Sequence, residues 1–203
     1  MLIGREQEKK ELLDALASDY SEFIAVYGRR RVGKTFLIRE TFNYKFTFQH
    51  TGMANTTSKN QLVNFRDSLI EQGAIKVPKL NNWLEAFSEL KRFLNTSIDE
   101  RKLVFIDELP WLDTPKSDFL SALEHFWNGW ATSRKDIVLV VCGSATSWIV
   151  EKIINNHGGL HNRLTKRIKL NPFTLKECEA FIENKHIYMN RYQLVEAYMV
   201  LGG

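Results

Sequence analysis

Tyr27-Gly28-Arg29-Arg30-Arg31-Val32-Gly33-Lys34-Thr35 is the stretch whose reading decides the fold of this chain. It spells G-x-x-x-x-G-K-T between an apolar run, Phe23-Ile24-Ala25-Val26, and a helix-like run from Phe36 to Phe42. The flanks matter more than the string, because a loop gathers its backbone N–H groups around phosphate oxygens only where it leaves a strand and opens a helix. Each fixed residue then serves a purpose. Gly28 and Gly33 let the chain curl, Lys34 reaches the β- and γ-phosphates, and the Thr35 hydroxyl ligates Mg²⁺. At average residue frequencies the string arises by accident in about one chain in a hundred of this length. Two further stretches leave accident little room.

Leu103-Val104-Phe105-Ile106 is apolar without alternation, as in a strand buried on both faces of a parallel sheet, and it ends in Asp107-Glu108. Acids at the C-terminal end of such a strand stand where these sheets bind ligands. There Asp107 would hold the water shell of Mg²⁺ and Glu108 would orient and polarise an attacking water. Pro110 marks the end of the strand. The most apolar run, Ile137 to Cys142, has the character of a central strand and closes on Gly143-Ser144-Ala145-Thr146-Ser147. If it lies between the other two strands, its terminal hydroxyls face the γ-phosphate, or they cap the helix that follows, or both.

Around these anchors the pattern is alternating helix and strand. Leu12, Leu13 and Leu16 give the segment from Arg5 to Ala17 one apolar face; Leu62, Phe65 and Leu69 mark a helix stopped by Gly73; Trp83, Phe87, Leu90 and Leu94 mark another behind the caps Asn81-Asn82. Tyr44 to His50 alternates as an edge strand, and Leu164 to Leu170 as a fifth strand closed by Pro172. Phe119 to Trp130 and Ile149 to Ile154 read as helices, Asn155 to Gly159 as a flexible loop, Thr174 with Glu177 as a capping box, and Arg191 to Leu201 as a last helix. Trp111, Trp127, Trp130 and Trp148 suit core or interface packing better than base stacking.

The composition narrows the class. A length of 203 residues accommodates one α/β domain or one domain and the start of another. With 28 basic and 24 acidic residues the formal charge of +4 is too mild to argue for nucleic acid. Cys142 and Cys178 form no framework for disulfides or zinc, the five histidines lack metal-ligand spacing, and no signal peptide or membrane span is visible. These features point to a cytoplasmic protein.

Ile3-Gly4-Arg5-Glu6, the loop from Val26 to Thr35, Phe105-Ile106-Asp107-Glu108, Cys142-Gly143-Ser144, and Arg163-Leu164 leading to Leu170-Asn171-Pro172-Phe173 together resemble the archaeal-type ATPase family. This is a branch of the signal-transducing (STAND) ATPases, related to AAA+ proteins and found also in bacteria. The resemblance covers nearly the whole chain and rests on the order and spacing of the motifs. It implies an α/β P-loop NTPase fold, a three-layer sandwich around a five-stranded parallel sheet of order 5-1-4-3-2, with ATP at the strand ends. It implies that Ile3, Gly4 and Arg5 lie near the adenine, with Gly28, Arg31, Val32, Gly33, Lys34, Thr35 and Phe36 as nucleotide contacts. Ser144 matches the family's sensor position. Arg163 matches the arginine of its Gly-Arg box, although Asn162 stands where that box usually has glycine. Family members usually continue past a Gly-Gly such as Gly202-Gly203 into a helical lid and a further domain, sometimes DNA-binding or nuclease-like.

On this reading residues 1–172 form an ATPase core and residues 173–203 a helical segment leading into a lid. The expected function is Mg²⁺-dependent ATP hydrolysis that switches contacts to a lid, a protein partner or a neighbouring copy, with Lys34, Glu108, Ser144 and Arg163 in the chemistry. An alternative is an ATP-binding scaffold or DNA-associated regulator with negligible turnover. A third, a small-molecule kinase, lacks a basic lid segment between the helices. Arg29, Arg30 and Arg31 add positive potential beside the phosphates but occupy variable positions of the motif, and are assigned no catalytic role.

Overall fold

In a computed structural model, which describes residues 2–155 and 158–202, the apolar runs become one parallel sheet. Its strands are β1 (Glu22–Tyr27), β2 (Phe48–Thr51), β3 (Lys102–Asp107), β4 (Ile137–Gly143) and β5 (Lys166–Lys169), in the order β2-β3-β4-β1-β5. All four pairings are parallel. This is the expected 5-1-4-3-2 order read from the other edge. β4 lies between β1 and β3, and every residue of β3 and β4 is buried, which is why neither run alternates. Asn156, His157 and Gly203, which belong to the expected loop and to the terminal Gly-Gly, lie outside the described residues.

Within β1 the period of two sends Ile24 and Val26 to one face and Phe23 and Ala25 to the other. Helices α1 (Glu6–Leu16) and α2 (Lys34–Thr41) cover the first face with Leu12, Ala15, Leu37 and Ile38. Helices α3 (Ser58–Glu71), α4 (Trp83–Thr96) and α5 (Phe119–Gly129) cover the second with Phe65, Trp83, Phe87, Phe126 and Trp127. Each leucine, isoleucine or phenylalanine among them, taken fully out of water, contributes about 1.5–3 kcal/mol. The layers are helix, sheet, helix.

Local chemistry sets the element ends. The Thr57 and Asn82 side chains cap α3 and α4, and Gly73 (φ 101°) turns the chain just beyond α3. α1 has no basic residue in its last turn, and Arg101, just ahead of β3, supplies the missing cation. Its guanidinium donates to the carbonyls of Ala15 (3.0 Å), Leu16 (3.1 Å), Tyr20 (3.0 Å) and Lys135.

The structure corrects four expectations. β2 starts at Phe48, not Tyr44, because Asn43 and Tyr44 take positive φ (51° and 58°) in a turn that closes on the end of α2, with Tyr44 N–H bonded to Arg39 O at 2.9 Å. β5 is confined to Lys166–Lys169, although Thr165 already bonds to Phe23. After β4 a single turn, α6 (Thr146–Trp148), runs on into a π-helical stretch, Ile149–Ile154, where a plain helix was expected. α6 has Ala145 at its cap with no side-chain bond, so the serines and threonine there do not cap it. Trp127 is core against Phe23 and Trp130 stacks under Arg134, while Trp111 is 40% exposed. Helix α7 (Leu175–Asn184) opens with the expected capping box and α8 (Arg191–Leu201) with a second one, yet of their residues only Leu194 is buried. Among the described residues no helix is long and apolar enough to cross a membrane.

β2 is an edge strand, and α3 finishes its outer margin. The Gln72 amide accepts from Gln49 N–H (2.7 Å) and donates to Gln49 O (2.8 Å), and Asn64 donates to Thr51 O (3.0 Å). On the inner face His50 packs between Phe48 and Phe65, with Nδ1 2.9 Å from Ser68 Oγ and Nε2 buried without a partner among the described residues. Burial lowers this imidazole from 6.5 to about 3, so it is neutral when folded. The unfolded chain takes up a proton near pH 6.5 and the folded chain does not until about 3, so stability falls as the pH drops through that window. We expect chemical unfolding to show wild type losing about 1.4 kcal/mol per pH unit, relative to His50→Phe, across this interval. Parallel pH profiles would contradict the assignment.

Candidate functional site

The site begins where β1 ends. Gly28 has φ 148°, and a Cβ there would stand 2.2 Å from Leu170 O, the carbonyl just past β5. Leu170 N–H is itself bonded to Tyr27 O at 2.7 Å, so the β1–β5 pairing runs right up to the turn. Arg31 (φ 69°) and Gly33 (φ 88°) complete the curl, and α2 starts at Lys34 with Gly33 at its cap. The first N–H groups of α2 therefore face the loop without intrahelical partners, which makes this a favourable place for an anion. Lys34 is 6% exposed and folds across the loop, donating to Gly28 O and Arg29 O at 3.0 Å each.

Thr35 reaches from α2 to β3. Its hydroxyl donates to Asp107 Oδ2 at 2.9 Å, while Asp107 Oδ1 accepts from Glu108 N–H (2.9 Å) and lies 2.7 Å from Cys142 Sγ. Burial pushes the Cys142 thiol well above its ordinary value, and the Asp107 charge beside it acts in the same direction, so it is present as S–H and donates. Beyond Asp107 the chain turns sharply. Glu108 adopts a left-handed conformation (φ 48°), which aims its carboxylate sideways at the end of β4. There Oε2 accepts from the Ser144 hydroxyl (3.1 Å) and the Ser144 N–H (3.3 Å). The close approach depends on Gly143, since a Cβ at that position would meet Pro110 Cδ at 2.5 Å.

A cavity of ≈ 350 Å³ opens beside the loop. Leu2, Ile3 and Arg5 line it from the N-terminal segment, Val32, Gly33, Phe36 and Leu37 from the loop and α2, and Phe173, Phe181 and Lys185 from the chain entering and forming α7. Lys185 caps the C-terminal end of α7 one turn beyond Phe181, its ammonium 5.8 Å from the ring centroid. Arg5 is a brace here more than a free ligand. It is 6% exposed, donates to Asn171 O (2.7 Å), lies 4.5 Å from the Phe173 ring, and sits 3.7 Å from Glu8 and 4.0 Å from Glu177. Gly4 (φ 68°) supplies the bend that lets Glu177 accept from Arg5 N–H at 3.1 Å.

The fold thus brings Gly28, Gly33, Lys34, Thr35, Asp107, Glu108 and Ser144 to one end of the sheet, with Ile3, Arg5, Val32 and Phe36 around the adjoining cavity. Arg31 belongs to the loop turn and does not line the cavity. Arg163 is not brought in. It is exposed and precedes Thr165, which is bonded to Phe23, and from there to Gly28 is a strand length of about 16 Å. The sequence reading missed Phe181 and Lys185, whose spacing of four, about one helical turn, was a usable signal. It also missed the contact of Cys142 with Asp107, for which the apolar run around Cys142 gave no sign.

A strand, a glycine turn, a lysine at a helix N-terminus, and a hydroxyl paired with the acid of a neighbouring strand define a P-loop nucleotide-binding fold. The chain belongs to the family of ATPase domains found predominantly in Archaea, whose profile matches residues 2–203. It is 28% identical over 204 residues to an uncharacterized protein of Methanocaldococcus jannaschii, a match that takes in all of this chain and 42% of that one. The chain therefore spans less than half the length of this relative. Among solved structures it is similar to the Walker-type ATPase of Pyrococcus abyssi (TM-score 0.69, 17% identity, 98% of this chain and 63% of the other). It is also similar to Cdc6p of Pyrobaculum aerophilum (TM-score 0.63, 16% identity, 91% and 50%). A third likeness is to the ORC2 protein of Aeropyrum pernix in its ADPNP–ADP complexes (TM-score 0.59, 15% identity, 89% and 50%). At these identities the structural likenesses speak for the fold.

The position of Gly28 gives a direct test. Gly28→Ala sets a methyl group against Leu170 O in a backbone conformation that alanine avoids, so unfolding should be easier by at least about 2 kcal/mol. Thermal melting with wild-type stability would show that the loop does not hold this geometry.

Proposed function

We propose that this domain binds ATP with Mg²⁺ and hydrolyses it, acting as a nucleotide switch for a further part of its protein or for a partner. The observation that carries the reading is the meeting of Thr35 and Asp107 at 2.9 Å beside the lysine-bearing loop. These are hard oxygen donors from two elements, a set that suits Mg²⁺, a cation that keeps several of its waters and takes few protein ligands. Bound there, Mg²⁺ would neutralise charge on the β- and γ-phosphates.

The chain's own groups have defined roles on this reading. Lys34 exchanges its two loop carbonyls for phosphate oxygens, a change to stronger, charge-assisted bonds. Glu108 accepts a proton from the attacking water, and Ser144, bonded to that carboxylate, keeps it aimed. The cavity between Phe36 and Phe181 takes the base. Since Phe173 and Phe181 also belong to the segment of residues 173–202, occupancy of the cavity bears directly on α7, the natural start of a lid. One observation favours the second reading, binding with negligible turnover: Arg163 stands at the far end of β5 from the loop, and an arginine at the phosphates can be worth about 10³–10⁵ in rate. Cys142 and Cys178 are both free, which accords with a cytoplasmic setting.

Two experiments bear on these roles. Lys34→Ala should remove measurable ATP binding by titration calorimetry, and retained affinity would sink the phosphate-loop assignment. Glu108→Gln should lower the single-turnover hydrolysis rate at least about 100-fold with ATP affinity kept, whereas equal rates would take Glu108 out of the mechanism. The base pocket has its own check: Phe181→Ala should weaken ATP about tenfold and leave inorganic tripolyphosphate binding unaltered.

A further inference from the structure

We propose that Cys142 is a positioning residue for the carboxylate of Asp107: its thiol fixes one oxygen so that the other alone is offered to Thr35 and to Mg²⁺. The proposal rests on the reading of Asp107 as the carboxylate that holds the metal.

Cys142 is fully buried and next to last in β4, level with Val26 of β1, so it stands in the strand that separates the loop from the acid. Its side chain lies on the α2 side of the sheet, in the same apolar cluster as Leu37 and Phe105. Sγ is 2.7 Å from Asp107 Oδ1, which also accepts from Glu108 N–H at 2.9 Å, while Oδ2 has, among the described residues, only the Thr35 hydroxyl at 2.9 Å. A carboxylate rotates about its Cβ–Cγ bond and presents either oxygen unless something distinguishes them. Here two donors on Oδ1 stop that rotation and leave lone-pair capacity on Oδ2, the oxygen turned toward Thr35. Groups that hold a metal ligand in this way typically matter about 10–100-fold in metal affinity. An aliphatic side chain would fill the same space and pack as well, yet would leave Oδ1 with one donor.

The test is the affinity of a non-hydrolysable ATP analogue, measured in EDTA and across a Mg²⁺ titration, for wild type, Cys142→Val, Cys142→Ala and Cys142→Ser. Valine and alanine both remove the donor and differ in volume, so a packing defect separates them. Serine keeps a donor within hydrogen-bond reach. We expect all four proteins to agree within about twofold in EDTA, and the valine and alanine variants to need about tenfold more Mg²⁺ for the half-maximal effect, with serine within about threefold of wild type. Valine and alanine variants with the wild-type Mg²⁺ midpoint would overturn the proposal, as would losses of equal size in EDTA or a serine variant as impaired as valine. A wild type whose nucleotide affinity ignores Mg²⁺ would instead remove the Asp107 reading beneath it.

Discussion

The hydroxyl of Thr35 meets the carboxylate of Asp107 across a strand to which neither belongs, and the rest of the molecule is arranged so that this contact forms. It requires β4 between β1 and β3, so that the loop leaving β1 and the acid ending β3 flank a common gap. It requires α2 to begin at once after Gly33, because one more loop residue would rotate Thr35 by about 100° around the helix. It requires both faces of β4 to be dry. The unbroken apolar run from Ile137 to Cys142 and the helices on either side meet that demand together, and a polar side chain inside the run would be left without water or a partner.

The second organising contact is the burial of Arg5. A guanidinium taken out of water needs both charge and hydrogen-bond partners, and it has them in the Asn171 carbonyl, the Phe173 ring and two flanking carboxylates. Glu177 serves twice, capping α7 through Oε2 and accepting from Arg5 N–H through Oε1. Burial, the largest single effect, acts to raise its carboxyl, but the Thr174 backbone and side chain and Arg5 together hold it below its ordinary value. The N-terminal segment, the end of β5 and the start of α7 are thereby locked into one wall of the cavity beside the loop.

What was legible in the sequence had local causes. β3 and β4 could be read because strands buried on both faces lose their alternation, and the loop could be read because its glycines, lysine and threonine must occur together. The capping box at Thr174 and Glu177 lies within a single turn and was equally plain. β2 was misjudged because Tyr44, Phe46 and Phe48 alternate like a strand, whereas the conformation of Asn43 and Tyr44 is set by how α2 ends. Arg5 read as a nucleotide contact, and its role as a brace depends on Glu177 and Phe173, which are distant in the chain and adjacent only when folded. The Cys142 contact was hidden for a related reason: in a run of aliphatic residues a cysteine looks like one more of them, and only the register of β4 against the end of β3 sets it beside an acid.

The treatment of the sheet margins bears on how this protein behaves at high concentration. Any open strand edge offers unpaired N–H and C=O groups to a second chain. At β2 that offer is withdrawn, since the amides of Gln72 and Asn64 occupy the outward groups of Gln49 and Thr51 much as a neighbouring strand would. At β5 it is made unattractive by electrostatics, because two copies meeting edge to edge would bring Lys166, Arg167 and Lys169 of each into mutual repulsion. Neither margin is a template for growth, and sheet-to-sheet aggregation is resisted at both ends by different means.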